Sequence, residues 1–336
     1  MATISLCMIV KDEEKFLEQC LLSVQGLVDE IVIVDTGSTD KTKEIALRFT
    51  SKVYDFVWDD DFAAARNESL KYATGEWILI LDADEVIDEE GRRGIKEAVV
   101  NKEVIAYAFP QLHYTNNYVH HTHFVATPHS QFKGFFVVEV VRLFRNRPII
   151  RFEYCVHETV SDTLKRNNLK IESLSVPIHH YQESKGIGDI ERKQEFYFRL
   201  SLNNIRKYPN YAKSYSDVGI YYSQKGEYEK ALEYCQKAVE LEPAKLEYRL
   251  NLSYRLRDLE KYDEAIVVLR RAVSLREDEA VFRALGYIYY QQKKFNEALE
   301  SYSKALDLGS PLTERVKSYI NIIKLEISNN NNPKKS

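Results

Sequence analysis

The sequence predicts an α/β domain built on a parallel sheet, followed by an all-α array of repeated helix pairs. Three observations predict it. Apolar runs of strand length alternate with helical patterns from Ser5 to Leu81. From about residue 209 strand-like runs vanish and helical periodicity takes over. There Ala231, Ala265 and Ala298 stand 34 and 33 residues apart, and Ala238, Ala272 and Ala305 repeat those intervals.

Ser5-Leu-Cys-Met-Ile-Val10 reads as a buried strand running into Lys11-Asp12-Glu13-Glu14 and a helix through Leu17, Leu21, Leu22 and Val24. Glu30-Ile-Val-Ile-Val-Asp35 is the second strand. Thr39 or Asp40 can cap the next helix, which carries Ile45, Ala46 and Phe49. Val53–Val57 is a short third strand, a helix opens at Phe62 and ends near Gly75, and Trp77-Ile-Leu-Ile-Leu-Asp82-Ala-Asp84-Glu85 is the fourth strand with its carboxylates. This β-α order predicts a parallel sheet with chemistry at the strand C-termini. Alternation along an extended chain would point Asp82 and Asp84 to the same side. Two anionic oxygen ligands suit a hard divalent cation, Mg²⁺ or Mn²⁺.

Taken in order, Asp12-Glu13, Val34-Asp35-Thr36-Gly37-Ser38-Thr39-Asp40, Arg66-Asn67 and Asp82-Ala-Asp84-Glu85 resemble the motifs of a family 2 glycosyltransferase of the GT-A fold, a Rossmann-like nucleotide-sugar domain. The resemblance covers roughly residues 3–185. Thr36 stands where many relatives carry a second Asp. The resemblance implies inverting transfer of a hexose, of glucose or N-acetylglucosamine type, from a UDP-sugar, with a Mg or Mn ion. It implies donor binding by Asp12, Asp35, Arg66, Asp82 and His180, and metal ligation by Asp84. Relatives with repeats after this domain look similar at Arg142-Leu-Phe-Arg145 and His157-Glu158. His157 is thereby a candidate third metal ligand, and Glu158 or Glu139 the candidate general base. Chains of this two-domain kind include the peptide glycosyltransferases that modify bacteriocins, so a polypeptide Cys, Ser or Thr is the expected acceptor. A cell-surface glycan or lipid-linked acceptor is the alternative, and a non-catalytic repeat scaffold with a degenerate transferase domain is the reading from another class.

The region after residue 105 reads as the acceptor side. His113, His120, His121, His123 and His129 lie there among Tyr107, Tyr114, Tyr118 and Phe124, but their spacing fits no closed zinc site. Strand alternation would place Val140, Arg142 and Phe144 on one face and Val141, Leu143 and Arg145 on the other.

Residues 186–208 read as a linking helix, 209–328 as three tetratricopeptide repeats plus a capping helix, and 329–336 as a disordered tail. Gly219, Ser253 and Gly286 hold the small-residue position of each first helix, and Arg249 and Leu256 replace the usual aromatics in the middle unit. Tyr221, Tyr254, Tyr287 and Tyr290 look surplus to packing within the array. With that surplus, a homodimer or peptide-docking role is expected of the repeats.

The chain has 336 residues, 44% of them hydrophobic, and a net charge of −4, with a pI near 6.1. That is enough apolar content for two cores and no footprint for nucleic acid. Cys7, Cys20, Cys155 and Cys235 have no metal-ligand spacing and read as buried free thiols, as a reducing cytoplasm would leave them. The first apolar run is about six residues, too short for a signal peptide. No run approaches the ~20 apolar residues of a membrane helix. A cytoplasmic location is the expectation.

Overall fold

Trp77-Ile-Leu-Ile80 is apolar without a break because both faces of its strand are covered. Trp77 and Leu79 enter one buried cluster with Leu6, Met8, Leu17, Leu21 and Ile95. Ile78 and Ile80 enter another with Cys7, Val32, Phe144, Phe152 and Leu164. Each such side chain, fully buried, contributes about 1.5–3 kcal/mol. The computed structural model describes residues 2–116, 125–126, 131–181, 187–310 and 312–331, which fall into two units, Met1–Asp189 and Ile190–Ser336.

In the first unit β1 (Ile4–Val10), α1 (Leu17–Ser23), β2 (Glu30–Asp35), α2 (Thr42–Leu47), β3 (Val53–Asp55), α3 (Phe62–Lys71) and β4 (Trp77–Ile80) follow the expected order. β1 lies between β2 and β4, parallel to both, and β3 is parallel to β2. Asp40 accepts from Thr42 N at 2.9 Å, as expected at the head of α2.

Then come β5 (Glu85–Val86), α4 (Glu89–Ala98), β6 (Ala106–Thr115), β7 (Val125–Ala126), β8 (Gly134–Arg145), α5 (Ser161–Arg166), β9 (Ile171–Ser173) and β10 (Ile178–Tyr181). The sheet order is β3-β2-β1-β4-β8-β6-β10-β5, with β7 on β8 and β9 on β6. The sheet is mixed rather than parallel throughout. β8 runs antiparallel to both β4 and β6 and so carries its side chains across the strand ends where β4 finishes.

The expected alternation along β8 fails at one residue. Tyr107 pairs Leu143 and Ala108 pairs Val141, so Arg142 is the extra residue of a β-bulge. Val141 and Phe144 consequently pack on the same side of the sheet, while Leu143 packs on the other. The bulge turns Arg142 out of the regular pleat.

In the second unit α6 (Ile187–Lys207) precedes three helix pairs. These are α7 (Ala212–Gln224) with α8 (Tyr228–Leu241), α9 (Leu246–Asp258) with α10 (Tyr262–Leu275), and α11 (Glu279–Gln291) with α12 (Phe295–Asp307). The six periodic alanines are all fully buried. A Cβ on Gly219 would stand 2.6 Å from Cys235 Sγ, and one on Gly286 2.9 Å from the Tyr302 ring, so the helices of a pair touch through the missing side chain. Gly286→Ala should therefore lower the stability of the repeat unit by about 1–3 kcal/mol. Thermal unfolding of the full chain would show this as an earlier repeat transition, with nucleotide binding unchanged.

α13 (Thr313–Asn331) closes the array through Val316 and Ile323. It continues past residue 328, so the expected tail keeps helix to Asn331, and 332–336 lie outside the described residues. The surplus of aromatics is also corrected. Tyr221 stacks on Phe198 at 3.9 Å. Tyr287 and Tyr290 both meet Tyr319 of α13. The Arg257 guanidinium lies over both Tyr254 and Tyr287. These rings pack within the array and against its flanking helices, so they supply no argument for a dimer. All four cysteines are free and buried, as expected.

Candidate active site

Strand β4 ends at Ile80, so Asp82 and Asp84 lie in the turn beyond it and pleat alternation does not govern them. Glu85 N donates to Asp82 O at 3.0 Å and closes the turn. Glu85 Oε2 accepts from Asp82 N at 2.7 Å and holds the turn from the inside. The two aspartates face different partners.

A continuous hydrogen-bonded chain joins them. Asp84 Oδ2 meets His180 Nε2 at 3.0 Å, and His180 Nδ1 meets His113 Nδ1 at 2.8 Å. His113 Nε2 meets Gln111 Oε1 at 2.7 Å. Gln111 Nε2 donates to Glu85 Oε1. Arg142 Nη2 donates to Glu85 Oε1 and to Asp82 Oδ2, both at 2.8 Å. Arg66 Nη2 donates to Asp82 Oδ1 at 2.5 Å, and its Nε to Glu158 Oε1 at 2.8 Å. Sheet register makes this possible, because His180 pairs His113 across β10 and β6.

With His113 Nε2 donating to the Gln111 carbonyl, one proton is shared between His113 Nδ1 and His180 Nδ1. Burial disfavours a charged His180, but the Asp84 carboxylate outweighs it and raises the His180 pKa. Burial also opposes ionisation of Asp82, yet Arg142 and Arg66 hold its carboxyl well below the usual range. Glu85 is fully buried, and burial pushes its carboxyl up against the pull of Arg142.

At the end of β2, Asp35 is 1% exposed. Its Oδ1 accepts from Gly37 N and Ser38 N, each at 2.9 Å. Its Oδ2 is buried and has no partner among the described residues. Gly37 makes the turn possible with φ 106°. Asp12 sits at φ 53° and its Oδ1 accepts from Thr39 N at 2.7 Å and from Thr39 Oγ1. One oxygen of this expected donor ligand is thus spent joining the ends of β1 and β2.

The loop after β8 is held by Asn67, whose side chain bonds both N and O of Phe152. Phe62 N donates to Cys155 O at 3.0 Å. These contacts carry Glu158 to Arg66, and the Arg66 guanidinium lies over the Phe152 ring. Arg66 is 5% exposed, and its Nη1 has no partner among the described residues. His157 sits at φ 56° with its side chain exposed. Glu139 is exposed on β8 and accepts from Ser173 Oγ at 2.5 Å, outside the chain of bonds. His120, His121, His123 and His129 lie outside the described residues.

Among the described residues no three His, Cys, Asp or Glu side chains gather as a ready metal centre. The donor set still fits a Mg²⁺-type ion. Asp84 is partly exposed and Oδ1 keeps no partner among the described residues, while Oδ2 is bonded to His180. Such ions take one or two carboxylates and complete their shell with water and substrate phosphates.

An open cavity of about 620 Å³ lies elsewhere, at the N-terminal ends of β1 and β2 beside Thr3, Glu30, Lys52 and Thr74. Both oxygens of Glu30 are taken by Lys52, Ser5 and Thr74. The buried groups left unpartnered among the described residues of the candidate site, Asp35 Oδ2, Arg66 Nη1 and Arg142 Nε, lie instead at the opposite strand ends.

Sequence reasoning passed over Arg142, Gln111 and the His113 link. A single charge breaking the run Val140-Val141-Arg142-Leu143-Phe144 was the available signal for the first. Gln111 and His113 join through a register that only the folded sheet shows.

The model of the Glycosyl transferase family 2 matches residues 5–150. Tetratricopeptide-repeat models match 212–245, 246–279 and 280–309. A TPR repeat-containing protein of Synechococcus elongatus is 33% identical over 85% of this chain and 69% of its own length. The SPbeta prophage-derived glycosyltransferase SunS of Bacillus subtilis is 26% identical over 70% of this chain and 53% of its own. An uncharacterized glycosyltransferase of Rickettsia typhi is 32% identical over 27% of this chain and 30% of its own. The alignments thus span about half or less of the two relatives named as glycosyltransferases. The chain carries a family 2 glycosyltransferase domain over residues 5–150 and continues into tetratricopeptide repeats. It is a glycosyltransferase, and no helix among the described residues is long and apolar enough to cross a membrane.

Proposed function

We propose that this enzyme transfers a hexose with inversion from a UDP-sugar to a Cys, Ser or Thr of a polypeptide, with Mg²⁺ or Mn²⁺. The observation that carries the reading is the buried, unpartnered Oδ2 of Asp35 at the end of β2. A buried carboxylate oxygen without a donor is costly unless a ligand supplies one. The uracil N–H or ribose hydroxyl of a nucleotide does so. Arg66 Nη1 is a second unsatisfied group, a donor suited to phosphate. Asp84, through its open Oδ1, would hold a divalent cation. The bound ion supplies charge stabilisation to the leaving UDP.

Glu158 keeps Oε1 on Arg66, and its Oε2 takes the acceptor proton. The acceptor S–C1 or O–C1 bond forms as the C1–O bond to phosphate breaks, and UDP leaves. The peptide acceptor is supported by the resemblance to bacteriocin-modifying enzymes and by the repeats, a protein-binding architecture. Glu158→Gln should leave UDP-sugar binding within about twofold and lower transfer by ~10²-fold or more. Glu139→Gln, whose carboxylate is held by Ser173, should transfer normally. The opposite pattern in steady-state assays would move the base to Glu139.

A further inference from the structure

We infer that Arg142 is a positioning residue that withdraws Asp82 from cation binding and leaves that task to Asp84. The inference rests on the proposed cation site and adds to it the residue that selects the ligand. Three observations carry it. Arg142 is the extra residue of the β6–β8 bulge, so the strand is locally distorted where this side chain leaves it. Its Nη2 divides between Asp82 Oδ2 and Glu85 Oε1 at 2.8 Å each, while its buried Nε finds no acceptor among the described residues. An arginine present only for stability would be expected to satisfy its buried N–H groups. Here one is forgone to aim the fork.

The third observation is the state of Asp82. Arg66 Nη2 takes Oδ1 and Arg142 takes Oδ2, so both oxygens already carry a guanidinium. A carboxylate held between two cations is a poor ligand for a third. Asp84 has one oxygen outside such bonds, two residues on in the same turn. Glu85, buried beneath the turn, relies on Arg142 for its only guanidinium contact among the described residues. Arg142 thereby neutralises the carboxylate that shapes the turn and the one that would compete for the ion.

Removing the guanidinium frees Asp82 Oδ2 beside Asp84 and deletes a positive charge. Mn²⁺ should then bind more tightly but in the wrong place. Arg142→Met in the full chain, titrated with Mn²⁺ at saturating UDP and followed by electron paramagnetic resonance of free Mn²⁺, should bind the ion at least threefold tighter than wild type. Its kcat should fall by at least tenfold. A merely structural arginine would weaken ion binding and turnover together. Because Arg142→Met leaves Glu85 buried without its partner, the double variant Arg142→Met/Glu85→Gln guards against misfolding and should show the same tightening. Arg142→Lys, which keeps the charge without the fork, should fall between. Unchanged or weaker Mn²⁺ binding in both folded Met variants overturns the inference. Absence of Mn²⁺ binding by wild type with UDP would instead overturn the cation site itself.

Discussion

Asp84→Asn is expected to lower hexose transfer by about 10³-fold, with no loss of fold. Removing one group that stabilises developing charge typically costs 10²–10³ in turnover. Here the lost group is also the carboxylate with an oxygen open to a cation. The amide keeps the size and can still accept from His180, so the chain through His113 and Gln111 survives. Binding energy is removed where the diphosphate departs, which lowers kcat more than it raises KM for the donor. Steady-state kinetics with Mn²⁺ and an unaltered circular dichroism spectrum check both halves. Full activity of this variant would remove Asp84 from the mechanism.

Arg66→Met is expected to be the most damaging single change for stability in the first unit. It removes the guanidinium that Asp82 and Glu158 share. Breaking a buried pair by deleting one member costs about 3–5 kcal/mol. Asp82 keeps a third of its side chain exposed and still has Arg142, so the lower end, about 3 kcal/mol, applies. At 2–4 °C per kcal/mol for a domain of this size, the first unit should melt roughly 6–12 °C earlier. Donor binding should weaken as well, since Nη1 is an unsatisfied donor of the site among the described residues. Calorimetric unfolding of the full chain, read beside the Gly286→Ala variant, separates the two units. A shift confined to the repeat transition would contradict the assignment.

The parts of this molecule legible in the sequence are those written in local patterns. The strands β1, β2 and β4 are unbroken apolar runs, and their ends carry Asp12, Asp35 and the Asp82–Asp84 turn. The repeats announce themselves through alanines whose full burial follows from helix-on-helix contact. What the sequence hid depends on pairing between distant segments. β8 inserts antiparallel next to β4, and its bulge puts Val141 on the side of Phe144 and takes Arg142 out of the pleat. Alternation was carried two residues too far at Asp82 and Asp84 because the strand stops at Ile80. The tyrosines of the array looked spare because their partners, Phe198 and Tyr319, lie in the helices on either side of the repeats. Glu85, the last residue of the Asp82-Ala-Asp84-Glu85 stretch, is the most deeply buried acid of the site and the hinge of its hydrogen bonds.

The central claim is that Asp35 and Asp84 bracket a nucleotide diphosphate and its cation across the end of β1. Isothermal titration of the full chain with UDP, with and without Mn²⁺, tests it most directly. The account predicts binding that strengthens at least tenfold with Mn²⁺, loses that gain in Asp84→Asn, and weakens in Asp35→Asn whether or not the ion is present. UDP binding that is indifferent to Mn²⁺ and to both substitutions would contradict it.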